Sequence, residues 1–517
     1  MNIVSFSPFG YEGFLVTVEV DLRRGIPAVD LVGLADNAVK EARERMRAAI
    51  RNSGFEFPNE RVLISLSPAD VKKEGAGFDL AIALAVLLEQ KNIKDDKEKF
   101  SLKKILVMGE LELSGKVRGV RGVNAAVSSA AELGVKHCIV PITNKEEAQV
   151  LGLMNVHGVE SLNEASEIMV NIVECLEKED SKKSEDINEK TNKDIEVEFS
   201  KSTKENDMGE VLGQSQLVRA LQIAASGFHN LIAYGSPGCG KSLALQRFPS
   251  IMPNLTKEEA IPVTRIYSLA GLMKAGEPLI KTAPFRIPHQ SASLQGIIGG
   301  GKHCLPGEIS LAHNGALFLD EAAEFRTSVL QALRVPLENG NVTLSRAGRH
   351  TVYPANFQLL IATNPCPCGN FGAPDKICVC NSRAVEQYWK KFSSPLLDRI
   401  DIRVPVFSSK NRKPYKTSEE LRHDIARAIS IQRSRQGKQN ALLLPEEINY
   451  YCKLDQGCKD FMNEQVIKNG FSARAIHSCI KLARTIADMA GSVAIRQEDL
   501  AEAVELRKNE GGIDIMF

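Results

Sequence analysis

The stretch LIAYGSPGCGKS, Leu231 to Ser242, decides the fold. Leu231-Ile232-Ala233-Tyr234 is a short apolar run that reads as a buried strand. It enters Gly235-Ser236-Pro237-Gly238-Cys239-Gly240-Lys241-Ser242, which fits GxxxxGK[ST]. Glycines let such a loop curl its backbone N–H groups toward phosphate oxygens. A helix after Gly240 adds its positive N-terminal end to the same place. Lys241 is suited to the β- and γ-phosphates, and the Ser242 hydroxyl to Mg²⁺. A strand, a phosphate loop and a helix in sequence predict an α/β fold that binds ATP with Mg²⁺.

Two further apolar runs belong to the same sheet. Gly315-Ala316-Leu317-Phe318-Leu319 ends in Asp320-Glu321, about 75 residues past the loop. Two carboxylates at the C-terminal end of a parallel strand sit where ligands bind in open α/β sheets. Asp320 is placed to hold Mg²⁺ through water, and Glu321 to take the proton of the attacking water. Gln358-Leu359-Leu360-Ile361-Ala362-Thr363 ends in Asn364, a polar group suited to orienting that water. Arg399 lies at a helix end in Pro395-Leu396-Leu397-Asp398-Arg399-Ile400-Asp401, and Arg474 opens a long helix predicted over 473–490. A guanidinium that reaches a transferred phosphoryl group adds several powers of ten in rate.

Composition sets the outer limits. The 517 residues exceed one ordinary domain. Lys+Arg (65) and Asp+Glu (64) nearly cancel, so any nucleic-acid surface must be local. No apolar run nears the ~20 residues of a membrane span, and the first residues lack a signal-peptide pattern, so a cytoplasmic protein is expected. Eleven cysteines without an export signal favour free thiols or a metal over disulfides.

In chain order, residues 1–172 read as an α/β unit, 173–208 as a flexible charged linker, 209–408 as the nucleotide-binding core and 409–517 as a helical region. In the first unit, strands are predicted at 13–20, 62–66 and 105–108. Val39, Ala42, Met46 and Ile50 carry helical spacing. The glycine loop before the Phe78–Leu88 helix and the segment GELELSGKVRGVRGV (109–123) resemble the proteolytic domain of the Lon family. There the loop supplies a nucleophilic Ser and the second segment leads to a catalytic Lys. Here Glu74-Gly75-Ala76-Gly77-Phe78-Asp79 holds no Ser or Cys, and Val123-Asn124-Ala125-Ala126 holds no Lys. A dyad needs a placed nucleophile and base, so the unit is read as inactive in proteolysis. Ser65, Ser67, Lys72 and Lys73 are the remaining candidates.

Phosphate loop, Asp-Glu strand, Asn-ended strand, LLDRID and SARA together resemble an AAA+ ATPase. FRIPHQSASLQGIIGGG (285–301), PGEISLAHNGALFLDEAAEF (306–325), LSRAGRHTVYPANF (344–357) and NPCPCG (364–369) narrow this to the magnesium-chelatase-like ComM/YifB family. That resemblance covers nearly the whole chain, although Gln290 stands where many relatives carry a second His. It implies a hexameric homo-oligomer with ATP between subunits, Arg399 as a finger on the neighbour's ATP and Arg474 as the sensor-2 arginine. It further implies DNA-helicase and branch-migration activity in homologous recombination during natural transformation.

Residues 341–353 alternate as two strands around Ala347-Gly348, a hairpin with Arg346 and Arg349 near its tip. In related rings this hairpin lines the pore, where basic tips track DNA phosphates. The alternative is a hairpin that packs on the neighbouring subunit. Lys302, His303 and His289 are weaker candidates. Cys366, Cys368, Cys378 and Cys380 form CxC-x9-CxC, tighter than common zinc spacings, so a structural Zn²⁺ and a loop of free thiols both stand. Among functions, a DNA motor leads. A chelatase-like ATPase remodelling a protein partner, a protease and a nucleotide-gated scaffold follow.

Overall fold

The computed structural model describes residues 2–34, 37–69, 73, 75–95, 105–179, 197–200, 206–273, 278–301, 303–346, 349–372, 376–408 and 413–508. The first unit runs β1 (Asn2–Ser7), β2 (Phe14–Arg23), β3 (Val29–Val32), α1 (Asn37–Asn52), β4 (Arg61–Ser67), α2 (Asp79–Asp95), β5 (Ile105–Val107), α3 (Val123–Glu132), β6 (His137–Pro141), β7 (Asn155–Val159) and α4 (Leu162–Glu179). Its strands make one mixed sheet in the order β3–β4–β2–β1–β5–β6–β7. Along β2, Val16, Val18 and Val20 are buried while the residues between them are partly exposed, so one face is covered more deeply than the other. Helix α1 supplies part of that cover through Val39, Ala42, Met46 and Ile50, all fully buried. The predicted strands and helices exist within a few residues of their expected ends; β1, β3, β6, β7 and α4 are additional.

The charged stretch 173–208 is more ordered at its ends than its composition predicts. Helix α4 continues to Glu179. Val197 and Phe199 pack on the second unit's core, and Ser200 O accepts from Arg422 Nη2 at 2.9 Å. Met208 is fully buried, and its N–H donates to Ser418 Oγ at 2.8 Å. A few apolar side chains in a polar run suffice to dock it when a complementary surface is near. Residues 180–196 and 201–205 lie outside the described residues.

The second unit contains α5 (Ser215–Gly227), β8 (Leu231–Gly235), α6 (Lys241–Gln246), α7 (Lys257–Ala270), β9 (Phe285–Arg286), β10 (Ala316–Leu319), α8 (Arg334–Asn339), β11 (Asn341–Arg346), β12 (Arg349–Pro354), β13 (Gln358–Thr363) and β14 (Ile402–Val406). Its sheet has the order β9–β10–β13–β8–β14, and every pair is parallel. Every residue of β8, β10, β13 and β14 is buried, as expected where both faces are covered. The C-terminal region is helical: α9 (Ser418–Gln436), α10 (Gln456–Asn469), α11 (Ala473–Met489) and α12 (Gln497–Arg507). Apolar residues of α5, β8, α9, α11 and α12 share one core, which fixes the helices against the sheet.

The two units touch through α7. The Arg265 guanidinium lies 4.4 Å from the Tyr11 ring centre, and its Nε donates to Tyr11 O at 2.9 Å. Tyr11 N–H in turn donates to Thr351 Oγ1 on β12 at 2.8 Å. Ser268 Oγ donates to Glu147 Oε1 at 2.7 Å and accepts from Gly122 N–H at 3.1 Å. Leu269 is buried in the cluster around α3.

Candidate active site

The phosphate loop joins β8 to α6, and its backbone explains its glycines. A Cβ on Gly235 would stand 2.0 Å from Val406 O, so β14 passes too close for any side chain. Gly238 and Gly240 have φ of 80° and 93°, which other residues reach only with strain. Gln214, not singled out from the sequence, holds the loop from outside. Its Nε2 donates to Cys239 O at 2.9 Å and to Phe407 O at 2.8 Å.

Strand order brings the predicted polar groups together at the C-terminal ends of β8, β10 and β13. Lys241 Nζ donates to Gly235 O at 2.6 Å and Ser236 O at 3.0 Å, and lies 3.4 Å from Asn364 Oδ1. Burial lowers the Lys241 pKa, opposed by Cys239, Asp320 and Glu321. Ser242 Oγ donates to Asp320 Oδ1 at 2.8 Å. A hydroxyl and a carboxylate at that separation, beside a glycine loop, are a donor set that suits Mg²⁺. Asp320 Oδ1 also accepts the Glu321 N–H at 3.0 Å. Glu321 is exposed and adopts φ 47°, ψ 45°, a left-handed conformation that costs a non-glycine residue on the order of 1 kcal/mol. The strain turns the chain sharply between two adjacent acids.

Arg399 and Arg474 are brought to each other, on another face. Both bind Glu338 at the end of α8: Arg399 Nη2 donates to Oε2, and Arg474 Nη2 donates to Oε1 at 3.1 Å. The three line a cleft of about 710 Å³, to which no residue of 235–242 contributes. The backbone around Arg399 is held firmly. Asn230 Nδ2 donates to Arg399 O at 3.0 Å, and the buried Arg507 donates to the carbonyls of Ile400 and Asp398. Asp401 Oδ1 accepts from Ser478 Oγ of α11 at 2.6 Å, and Oδ2 lies 3.2 Å from His229 Nδ1. Glu338, Asp401 and Arg507 carry no local sequence signal for these contacts.

The four cysteines after Asn364 cluster. Their sulfurs all lie within 4.8 Å of one another, with Cys366–Cys368 at 3.4 Å, Cys366–Cys378 at 3.7 Å and Cys368–Cys378 at 3.6 Å. Tetrahedral Zn–S bonds of about 2.3 Å put sulfurs about 3.8 Å apart, so the donor set fits zinc. The backbone N–H of Asn370 leads in lowering the Cys368 pKa, while Cys366, Cys378 and Cys380 are pushed up, so without a cation the cluster favours the thiolate at one sulfur only. The loop also touches the phosphate site: a Cβ on Gly369 (φ 77°) would meet Pro237 Cδ at 2.6 Å.

Strands β11 and β12 pair from Asn341↔Pro354 to Arg346↔Arg349, which gives the expected hairpin. Its turn, Ala347-Gly348, and the side chains of Arg346 and Arg349 lie outside the described residues, as does Lys302. His289 Nδ1 lies 2.7 Å from Ser291 Oγ in an exposed loop. In the first unit, Asp79 is buried and paired with Arg45 at 2.7 Å. Asn124 is fully buried, and Lys73 donates to Pro68 O. Lys72 and Glu74 lie outside the described residues. Among the described residues, no helix is long and apolar enough to cross a membrane.

Comparison with known proteins agrees with this architecture. Residues 207–414 match the family described as magnesium chelatase, subunit ChlI. Residues 18–144 match subunit ChlI of Mg-chelatase, and residues 415–507 match the ChlI C-terminal family. The chain is 37% identical to competence protein ComM of Haemophilus influenzae over 513 residues, covering 98% of this chain and 97% of that one. It is 37% identical to the uncharacterized protein YifB of Escherichia coli K12 over 498 residues, covering 95% and 94%. A Lon protease of Desulfosudis oleivorans is 25% identical over 182 residues, 32% of this chain and 21% of that protein.

Proposed function

We propose, from the premise that this chain belongs to the ComM/YifB family of magnesium-chelatase-like AAA+ proteins, that it is an ATP-driven DNA motor assembled as a homo-hexameric ring. The observation that carries the proposal is the convergence of Lys241, Ser242, Asp320 and Asn364 on neighbouring parallel strand ends.

In this reading Gly235 to Gly240 wrap the phosphates and Lys241 binds their charge. Ser242 and Asp320 would hold Mg²⁺, which would supply positive charge against the phosphates. Glu321 takes a proton from the attacking water, and Asn364 orients that water. Arg399 and Arg474 share one cleft, remote from their own phosphate loop, so both serve the ATP of an adjoining subunit. Exposed Val335 and Leu444 beside that cleft suit a subunit interface. The β11–β12 hairpin, with Arg346 and Arg349, tracks DNA phosphates. The four cysteines bind a structural Zn²⁺ that stiffens the loop beside Pro237.

The Lon-like first unit, 1–172, has no proteolytic role and acts as a DNA-binding or assembly collar. The stretch 173–208 joins it to the core at 209–408 and the lid at 409–517. The curated name of the Haemophilus relative speaks of competence, which favours a role in recombination during natural transformation. The competing reading is an ATPase that remodels a protein partner, as the chelatase family name suggests. Steady-state ATP turnover with and without single-stranded or branched DNA, together with strand displacement, separates them. A motor is stimulated by DNA and displaces strands. Turnover indifferent to DNA, with no DNA binding, sinks the motor reading.

A further inference from the structure

Helix α8 sits between two features that sequence keeps far apart. Glu338, near its end, holds Arg399 and Arg474, which come from positions 61 and 136 residues downstream. The next residues, Asn339 and Gly340, lead straight into the hairpin strand β11. Gly340 closes the helix in a left-handed conformation (φ 66°), and its carbonyl accepts the N–H of Ala355, just past β12, at 2.7 Å. A Cβ on Gly340 would meet Asn356 Oδ1 at 2.2 Å. The end of α8 and both strands of the hairpin thus meet at one junction, on the wall of the cleft that holds Arg399 and Arg474.

We propose that Glu338 couples the nucleotide bound by an adjoining subunit to the hairpin, by tethering Arg399 and Arg474 until phosphate draws them away. The inference rests on the reading of those arginines given above. One carboxylate serves two guanidiniums, and a triphosphate offers them more charge and more acceptors. The Arg399 hydrogen bond leads in holding the Glu338 carboxyl below its usual range, so it carries its charge at neutral pH. The Glu338 side chain is half exposed while that of Arg399 is 11% exposed, so water reaches the contact from the carboxylate side. The backbone of Arg399 is pinned by Asn230 and Arg507, and its Nη1 also donates to Pro395 O at 2.6 Å, so the guanidinium must leave both Glu338 and that carbonyl to reach phosphate, while α8 is held to it only through Glu338. Glu338 is a positioning residue: it touches arginines, not substrate.

Hydrogen exchange on the full-length chain, with and without ATPγS and Mg²⁺, tests the tether without needing turnover. Amides of 341–353 in the wild type should exchange about threefold faster or more when nucleotide is added. In Glu338→Gln they should exchange fast without nucleotide and respond little to it, at an unchanged unfolding temperature. Glu338→Ala should behave alike, so misfolding of one variant does not decide the matter. ATP turnover without DNA should rise in both variants, because the Glu338 carboxylate no longer competes for the arginines. Wild-type exchange indifferent to nucleotide, or variants that keep the wild-type response, overturn the tether. If the wild type neither binds DNA nor changes its turnover with it while the exchange pattern holds, the DNA-motor reading fails and the tether stands.

Discussion

Asp401→Asn removes one charge from a buried network behind Arg399. Burial alone would raise the Asp401 pKa. The hydrogen bond and charge of His229, with Lys481 and Ser478, outweigh burial and bring it from an ordinary 3.8 to about 2. A displacement of that size is worth about 2 kcal/mol. The folded pKa is depressed, so this stability is fully present above about pH 4 and is lost as pH falls through about 2. Asparagine keeps one acceptor for Ser478 but replaces the carboxylate oxygen beside His229 Nδ1 with a neutral amide. At pH 7.5 the variant should lose roughly 2 kcal/mol, a fall in unfolding temperature of roughly 5 °C. Because Asp401 joins the Arg399 segment to α11, ATP turnover should fall further than stability explains, with little change in nucleotide affinity. Calorimetry at pH 7.5 and a turnover assay below the unfolding transition measure both effects. A variant within about 1 °C of wild type would show that the carboxylate charge contributes little and refute the reasoning.

Other expectations follow from the same geometry. Glu321→Gln should cut turnover by about 10²-fold or more while ATP binding persists, measured by nucleotide retention after gel filtration. His313 is buried, accepts the Asn356 N–H at 3.0 Å and has its pKa lowered by burial to about 4. The unfolded chain therefore binds the proton first, and stability should drop between about pH 6.5 and 4, by up to roughly 3 kcal/mol. His313→Gln should flatten that acid limb of the unfolding curve. Gly369→Ala places a Cβ against Pro237 in a left-handed conformation and should weaken ATP binding while the protein remains folded, read by nucleotide titration. Protein purified without chelators should carry about one zinc per chain, and Cys368→Ser should lower that by elemental analysis; equal zinc content in both removes the cluster as its site.

The candidate nucleotide site was legible because strands buried on both faces write themselves as apolar runs. Leu231–Tyr234, Ala316–Leu319 and Leu359–Ala362 need no partner to be recognised, and their polar ends mark the site. Strand β14 was not legible: it reads Ile-Arg-Val-Pro-Val, and nothing local says that Arg403 is buried. The same limit hid Gln214, Glu338 and Arg507, whose partners lie tens to hundreds of residues away. SARA announced Arg474, but its place beside Arg399 depends on how α11 packs. The charged stretch before the core misled at its ends, because average composition cannot weigh single side chains such as Phe199 and Met208.

The contact between Tyr11 and α7 bears on how this chain is dissected in the laboratory. Cutting away the Lon-like unit looks like a clean subtraction on a domain diagram. In three dimensions it strips the cover from Leu269, leaves Ser268 without its carboxylate partner, and takes a stacked tyrosine from Arg265 and an amide donor from Thr351. The amputated core would present an apolar wound along α7 and the flank of its own hairpin, prone to sticking to whatever is near. Loss of activity in such a fragment would report the wound as much as the missing unit. A point change such as Tyr11→Ala in the intact chain asks the question without opening the surface.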